Sequence, residues 1–149
     1  MADTVDRETR SLIMSRVRGK DTAPEMLVRR LVFSLGYRYR LHDARLPGKP
    51  DLVFAGRRKV IFVHGCFWHR HDGCDLARLP KSRAEFWTRK LTGNKERDGR
   101  NQTALRKLGW RILVVWECGL GDQAALRRRI VRFLDRDGVR RGDTVNQRG

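Results

Sequence analysis

The stretch "DLVFAGRRKVIFVHG", residues 51–65, contains two short runs of β-branched and aromatic residues separated by a turn. "DLVFA" and "KVIFVHG" have the composition of buried β-strands, and "GRR" between them supplies the turn. The stretch therefore predicts a β-hairpin. The alternation of aromatic and basic residues in "YRYRL", residues 37–41, predicts one more strand before it.

Helical patterns flank these strands. "TAPE", residues 22–25, has the form of a capping box, and apolar residues then recur at spacings of three and four up to Gly36. This pattern predicts a helix from 23 to 35, with Gly36 as its left-handed C-terminal residue. Residues 4–18 can form an earlier helix.

The second half of the chain continues the alternation of helix and strand. The segments 82–91 and 94–109 have helical composition, with a break predicted at Gly93 and a stop at Gly109. "WRILVVWE", residues 110–117, predicts a buried strand. A final helix is predicted over 122–136, with one apolar face made by Leu126, Ile130, Phe133 and Leu134.

The order of these elements predicts an α/β fold. With 149 residues the chain has the length of one ordinary domain. We expect a single domain over 1–136 and a disordered tail over 137–149, because the tail has little apolar surface to bury.

The charge of the chain is strongly positive. Thirty-four Lys and Arg residues against 17 Asp and Glu give a formal net charge of +17, spread along the sequence. Nucleic acid is the polyanion that best explains such an excess, with a membrane surface or simple solvation as alternatives. No apolar run approaches a membrane span, and the first residues lack a signal-peptide core, so we expect a cytoplasmic protein.

The segment "HGCFWHRHDGC", residues 64–74, concentrates metal-binding side chains. Cys66, His71 and Cys74 are close enough in sequence to surround one ion, and Cys118 follows a predicted strand that could deliver a fourth ligand. Three Cys and one His favour a closed, tetrahedral zinc site with a structural role. The alternative is that the thiols are simply buried and the histidines are solvated.

Phe67 and Trp68 stand between these ligands. If the neighbouring side chains point at a metal, the two rings are forced outward, where they could enter a base stack as wedges. The alternative is that both rings belong to the core.

Asp51 opens the first strand of the hairpin and is a candidate ligand for the hard divalent cation that phosphodiester hydrolysis requires. His64 and His69 remain available for proton transfer if His71 binds zinc. Glu25 has two interpretations, as the carboxylate of the capping box or as a group that approaches the metal site.

Four motifs in this order, "LPGKPDLVF", "VIFVHGCFWHRHDGC", "FWTRKLTGNKERD" and "LGWRILVVWEC", resemble those of the very short patch repair (Vsr) DNA mismatch endonucleases, which nick T:G mismatches in bacteria. The resemblance covers about residues 7–120. It implies a fold like that of type II restriction endonucleases, with a mixed central sheet flanked by helices. It also implies a catalytic Mg²⁺ at the hairpin and a separate structural Zn²⁺.

The resemblance implies roles for individual residues. Asp51 and the backbone carbonyl of Val63 would bind magnesium. His69 and His64 would assist hydrolysis. Glu25 would support the site, and Asp98 would orient one of the two histidines. A second group would pry the duplex open at the mismatch: Met14, Phe67, Trp68 and Trp87.

The implied function is magnesium-dependent incision of one strand of double-stranded DNA, 5′ to the T of a T:G mismatch left by deamination of 5-methylcytosine. The resemblance further implies a monomer, associated with the nucleoid when acting, and a mismatch-repair ATPase of the MutL type as a partner. Two rivals remain open: a restriction endonuclease that cuts both strands of matched DNA, and a zinc-stabilised DNA-binding module without catalysis.

Overall fold

A four-stranded sheet forms the centre of the protein in a computed structural model, which describes residues 21–135. Its strands are β1 (Arg40–Leu41), β2 (Leu52–Phe54), β3 (Lys59–His64) and β4 (Arg111–Trp116), in that spatial order. The first three strands pair antiparallel, whereas β3 and β4 are parallel. The sheet is therefore mixed, as the family resemblance implied.

The hairpin of β2 and β3 is confirmed. A short 3₁₀ turn over Ala55–Arg57 reverses the chain, and Arg58 follows in the left-handed conformation with φ +57°. Leu52 then pairs with Ile61 in the ladder. All three residues of β2 are buried, which explains why the sequence of this strand does not alternate between apolar and polar residues.

Three α-helices pack around the sheet within residues 21–135: α1 (Ala23–Ser34), α2 (Ala84–Lys107) and α3 (Gln123–Asp135). The predicted start of α1 is confirmed, because the side chain of Thr22 accepts a hydrogen bond from the amide of Glu25. Its end is confirmed as well. Gly36 has φ +96° and donates its N–H to Phe33 O at 3.0 Å, a conformation that favours glycine.

Helix α2 runs without interruption through Gly93, so the predicted break is wrong. A glycine inside a helix costs about 1 kcal/mol relative to alanine, but it removes no backbone hydrogen bond. Buried residues on both sides of Gly93, Leu91 and Leu105 among them, hold the two halves of α2 on the protein. Tertiary packing therefore overrides the local preference.

The helices cover both faces of the sheet. Residues of α1 and α3 pack against one face of the sheet. The core between them consists of Val28, Leu31, Val32, Tyr37, Leu52, Phe54, Ile61, Val115, Leu126, Ile130 and Leu134. Leu105 of α2 packs with the other face, against Val53, Val60 and Phe62. Side chains of β3 thus alternate between two cores, and its last residues, Val63 and His64, reach the end of the sheet between them.

Several predictions concern parts of the chain outside residues 21–135. They are the helix over 4–18 with Met14 and the tail over 137–149. Among residues 21–135, no helix combines the length and the apolar character needed to cross a lipid bilayer.

Candidate active site and metal site

Asp51 lies directly before β2, with its carboxylate turned to the end of β3. Its Oδ2 accepts a hydrogen bond from the backbone N–H of Val63 at 2.7 Å. Burial raises the pKa of Asp51 to about 7, the nearby charge of Glu25 raises it as well, and the hydrogen bond from Val63 opposes both. A bound cation would favour the ionised form of such a carboxyl group.

Glu25 forms the predicted cap and also lies near Asp51. Its backbone N–H and its Oε1 take part in the cap, through Thr22 Oγ1 at 3.3 Å and the N–H of Asp21 at 3.0 Å. Its Oε2 instead faces His42, whose Nε2 lies 2.6 Å away. Glu25 is 2% exposed, and it connects the start of α1 to the neighbourhood of Asp51.

His42 is the one residue of this neighbourhood that the sequence analysis missed. Its Nε2 lies 3.9 Å from Asp51 Oδ1 in addition to its contact with Glu25. A signal was present in the sequence, because His42 directly follows the "YRYRL" strand. Antiparallel pairing of that strand with β2 places His42 beside Asp51, and the His42 N–H donates to Asp51 O at 3.2 Å.

A second group of polar side chains begins at the last residue of β3. The rings of His64 and His69 are stacked, with centroids 3.8 Å apart. His69 Nδ1 lies 2.5 Å from Asp98 Oδ2, which comes from α2. The structure therefore brings together both histidines that the sequence singled out and the acidic residue implied to orient one of them.

His64 is the buried member of the stack. Burial lowers its pKa to about 3, and the adjacent His69 lowers it further, against the opposing effect of Asp98. Its Nδ1 is buried and has no hydrogen-bond partner within the described part of the chain. His64 is therefore a neutral imidazole with one nitrogen available for hydrogen bonding.

The ligand atoms of His64, His69 and Asp98 lie within 4.8 Å of one another, a spacing that would also suit a metal. The ring geometry argues against that use. The planes are only 3° from parallel, and lone pairs in the planes of two stacked rings do not converge on one point. The arrangement suits hydrogen bonding and proton transfer better.

Cys66, His71, Cys74 and Cys118 come together in one cluster, as predicted, with all four ligand atoms within 4.8 Å of one another. All three cysteines are free thiols. His71 Nδ1 lies 3.5 Å from Cys66 Sγ and 3.4 Å from Cys118 Sγ. A tetrahedron built with ordinary Zn–S and Zn–N bonds has an S···N edge of about 3.6 Å, so these residues fit zinc.

The surroundings hold the cluster in place. The ring of His71 stacks on Trp116 of β4, with centroids 3.9 Å apart and planes 6° apart. The N–H of Cys66 donates to Glu117 Oε1 at 3.3 Å. Burial raises the pKa of the Cys66 thiol to about 12, which a coordinated cation would reverse because a metal-bound thiol is deprotonated.

Phe67 and Trp68, which lie between the ligands of the Cys/His cluster, do not both point to solvent. Phe67 is only 2% exposed and packs in a cluster with Trp87 and Leu91, so the expectation that it is exposed is wrong. Trp68 is half-buried against the same cluster. The neighbours of Phe67 in the loop belong to the Cys/His cluster, but α2 supplies an apolar surface on which the Phe67 ring packs.

This aromatic cluster, formed by Phe67, Trp68, Trp87 and Leu91, leaves polar atoms unsatisfied. The three rings meet edge to face, at centroid distances of 5.3 to 6.0 Å. The indole N–H groups of Trp68 and Trp87 are buried without an acceptor within residues 21–135. An unsatisfied buried donor costs about 1–3 kcal/mol, so the closed packing is less favourable than its apolar contacts suggest.

Comparison with known proteins agrees with these features. The family model described as DNA mismatch endonuclease Vsr matches residues 2–75. The DNA mismatch endonuclease Vsr of Escherichia coli K12 is 48% identical over 126 residues, which cover 85% of this chain and 80% of that protein. The chain belongs to the Vsr DNA mismatch endonuclease family. As a member of the Vsr family it is an endonuclease that acts on DNA.

Two other relatives of this Vsr family member carry names that describe nicking. The type II nicking enzyme V.XorIIP of Xanthomonas oryzae pv. oryzae is 51% identical over 135 residues, 91% of this chain and 98% of that enzyme. The type II nicking enzyme V.NmeAIP of Neisseria meningitidis is 44% identical over 134 residues, 90% of this chain and 95% of that enzyme. The similarity therefore includes β3, the Cys/His cluster and α2.

Proposed function

We propose that this protein is a magnesium-dependent mismatch endonuclease that incises one DNA strand 5′ to the T of a T:G mismatch, the product of 5-methylcytosine deamination. One observation carries the proposal. A partly buried carboxylate, Asp51, and a hydrogen-bonded acid–base pair, His69 with Asp98, flank the adjacent residues Val63 and His64 at the end of β3.

The hydrolytic cation would be held by the carboxylate of Asp51 and the backbone carbonyl of Val63. Both are hard oxygen ligands of the kind that magnesium prefers, unlike the thiols of the Cys/His cluster. Glu25 supports the site as a second carboxylate near Asp51. When bound, a divalent cation neutralises charge on the phosphoryl oxygens and favours attack by water.

His69 is proposed to accept the proton of the attacking water. Asp98 receives the hydrogen bond of His69 Nδ1, which holds that nitrogen in its protonated form and leaves Nε2 as the proton acceptor. The same contact fixes the orientation of the ring. Asp98 thus acts through His69 and does not contact the DNA in this mechanism.

His64 is proposed to remain neutral and to hydrogen-bond the reacting phosphate or its water. A second charged imidazole would lie 3.8 Å from His69, where two positive charges repel each other in a poorly solvated setting. Neutral His64 avoids this repulsion and presents a ring nitrogen without a partner in the described part of the chain. The two histidines therefore have different tasks.

The aromatic cluster is proposed to supply the mismatch wedge, together with Met14. Inserting a ring between bases costs a few kcal/mol of unstacking, and the cost is lower beside a wobble pair than beside a Watson–Crick pair. The buried indole N–H groups of Trp68 and Trp87 have no acceptor among residues 21–135 in the closed cluster, which lowers the cost of opening it. Mismatch selectivity would follow from the easier opening of the DNA.

A zinc ion bound by Cys66, His71, Cys74 and Cys118 is proposed to be structural, because four protein ligands leave no position for water or substrate. Its role would be to hold the loop that carries His69 and the two aromatic residues. A restriction-endonuclease-like fold, a monomeric state and a partner ATPase of the MutL type stay predictions from the resemblance.

A nicking assay tests the proposed function. Supercoiled plasmids with a single T:G or T:A pair at one position are incubated with the protein and magnesium. We expect open-circular product from the T:G plasmid, with incision 5′ to the T, and slow reaction of the T:A plasmid. Equal rates on the two plasmids, or linear product, would favour a restriction endonuclease, and a protein that binds without cutting would favour a binding module.

A further inference from the structure

His42 has no role in the mechanism above, although its backbone places it against the proposed cation site. Leu41 of β1 pairs with Leu52 of β2, so the next pair along the ladder is His42 with Asp51. The His42 N–H donates to Asp51 O at 3.2 Å. The register of two strands therefore fixes the distance between these two residues.

The backbone of His42 is in an uncommon conformation. Its φ is +47°, in the left-handed region that few residues other than glycine adopt, although Asn, Asp and His are enriched there. Such a conformation is unfavourable for most residues and persists only where surrounding contacts stabilise it. Here the side chain of His42 lies near the carboxylates of Glu25 and Asp51.

The side chain of His42 connects two carboxylates. Nε2 lies 2.6 Å from Glu25 Oε2 and 3.9 Å from Asp51 Oδ1. Glu25 also accepts hydrogen bonds from the N–H of Asp21 at 3.0 Å and from Arg29 Nη1 at 3.4 Å. With Glu25 acting as the acceptor in these contacts, Nε2 of His42 is assigned as the donor in the contact between them.

We propose that His42 is a positioning residue of the active site, which holds the Glu25 carboxylate beside Asp51 so that the two can support one divalent cation. This inference rests on the proposed cation site at Asp51. The hydrogen bond of 2.6 Å fixes one oxygen of Glu25, and the cap at Asp21 fixes the other. Groups that orient metal-site carboxylates commonly contribute about 10–100-fold to metal affinity.

The alternative is that His42 only joins α1 to the sheet. A structural link of that kind would change the stability of the protein without a separate effect on cation binding. Two variants separate these roles. His42→Asn keeps a residue type that tolerates positive φ but is too short to reach Glu25, whereas His42→Gln keeps an N–H donor at about the reach of Nε2.

The test uses Mn²⁺ as the probe, because electron paramagnetic resonance follows its binding directly and does not depend on the rate of incision. The full-length chain is bound to a T:G duplex, and Mn²⁺ affinity is measured for wild type, H42N, H42Q and Asp51→Asn. Thermal unfolding and duplex affinity are measured for each variant. We expect H42N to weaken Mn²⁺ binding about 10–100-fold, and H42Q to stay within about threefold of wild type.

Two results would overturn the inference while the proposed function stands: an Asp51-dependent Mn²⁺ site with unchanged affinity in folded H42N, or equal weakening in H42N and H42Q. If H42N does not fold, wild-type Mn²⁺ affinity in H42Q supports the inference, and affinity weakened tenfold or more in folded H42Q overturns it. If Asp51→Asn binds Mn²⁺ as wild type does, the proposed cation site itself is wrong, and the inference fails with it.

Discussion

The imidazole rings of His64 and His69 lie face to face, with centroids 3.8 Å apart and planes 3° apart, although within residues 21–135 only His69 has a carboxylate partner. The pairing gives the two rings different electrostatic environments. His69 is stabilised by Asp98, whereas His64 is buried and next to another imidazole. One ring is therefore suited to proton transfer and the other to neutral hydrogen bonding.

His64 should not titrate in the physiological range. Its pKa is lowered to about 3, first by burial and then by His69. Because the folded pKa lies below the unfolded value, the neutral form is kept as the pH falls, and stability is lost only as the pH falls from about 6.5 toward 3. Histidine-detected NMR checks this prediction: the His64 ring signals, assigned with a His64→Gln variant, should not shift between pH 5 and 8. A midpoint near 6.5 would contradict it.

Asp51 should destabilise the metal-free protein at high pH. Its pKa is raised to about 7 from 3.8, so the native state binds more protons between these values and stability falls as the pH rises through that interval. Asp51→Asn keeps an acceptor for the N–H of Val63 but cannot ionise. In urea unfolding at pH 8 without added magnesium, the variant should be more stable than wild type by a few kcal/mol.

The difference between Asp51→Asn and wild type should shrink as the pH approaches 4.5, where both side chains are neutral. Glu96→Gln, which removes an exposed carboxylate on α2, serves as the matched control and should show no such pH dependence. An Asp51→Asn variant that is less stable than wild type at pH 8 would show that the carboxylate is not penalised by burial.

The Cys/His cluster should contain one zinc ion per chain. Cys118→Ser removes one of four ligands, so we expect lower zinc content and a lower melting temperature, since metal binding contributes to folding. Elemental analysis and thermal unfolding of the purified proteins provide the measurement. Asp75→Asn, an exposed neighbour of Cys74, should retain zinc. A wild-type protein that is fully folded without bound metal would contradict the prediction of a structural zinc site.

Phe67 should contribute to nicking of T:G mismatches in addition to its packing in the aromatic cluster. Phe67→Leu preserves most of the apolar volume in the aromatic cluster, so its free energy of unfolding should change by less than about 1.5 kcal/mol. It lacks the flat ring that a wedge requires, and T:G nicking should fall about tenfold or more. Phe33→Leu, the same change at a residue 55% exposed on α1, should nick normally. Normal nicking by folded Phe67→Leu would contradict the wedge.

Features that depend on local sequence were predictable. The start of α1 follows from Thr22 and Glu25, its end from Gly36, and the hairpin from two apolar runs joined by a turn. The Cys/His cluster was predictable because three of its ligands lie within nine residues, and β4 had a recognisable strand pattern that could bring Cys118 to them. In each case, residues that are close in sequence favour the same local structure that burial of their apolar neighbours requires.

Features that depend on packing between distant segments were not predictable in this way. His42 reaches Asp51 only because β1 pairs with β2 across a loop of several residues, and its place after the "YRYRL" run does not by itself give the register of that pairing. Gly93 does not break α2 because buried residues on both sides keep the helix docked. Phe67 is buried because α2 offers Trp87 and Leu91, which lie twenty or more positions away.

The central claim is that Asp51, whose carboxylate faces the end of β3, is needed for strand incision and not for DNA recognition. Single-turnover incision of a T:G duplex in magnesium, measured with the affinity for the same duplex, tests it most directly in wild type and Asp51→Asn. We predict affinity within about threefold and incision slowed by about a thousandfold or more. Incision by Asp51→Asn at the wild-type rate, with equal binding, would contradict the account.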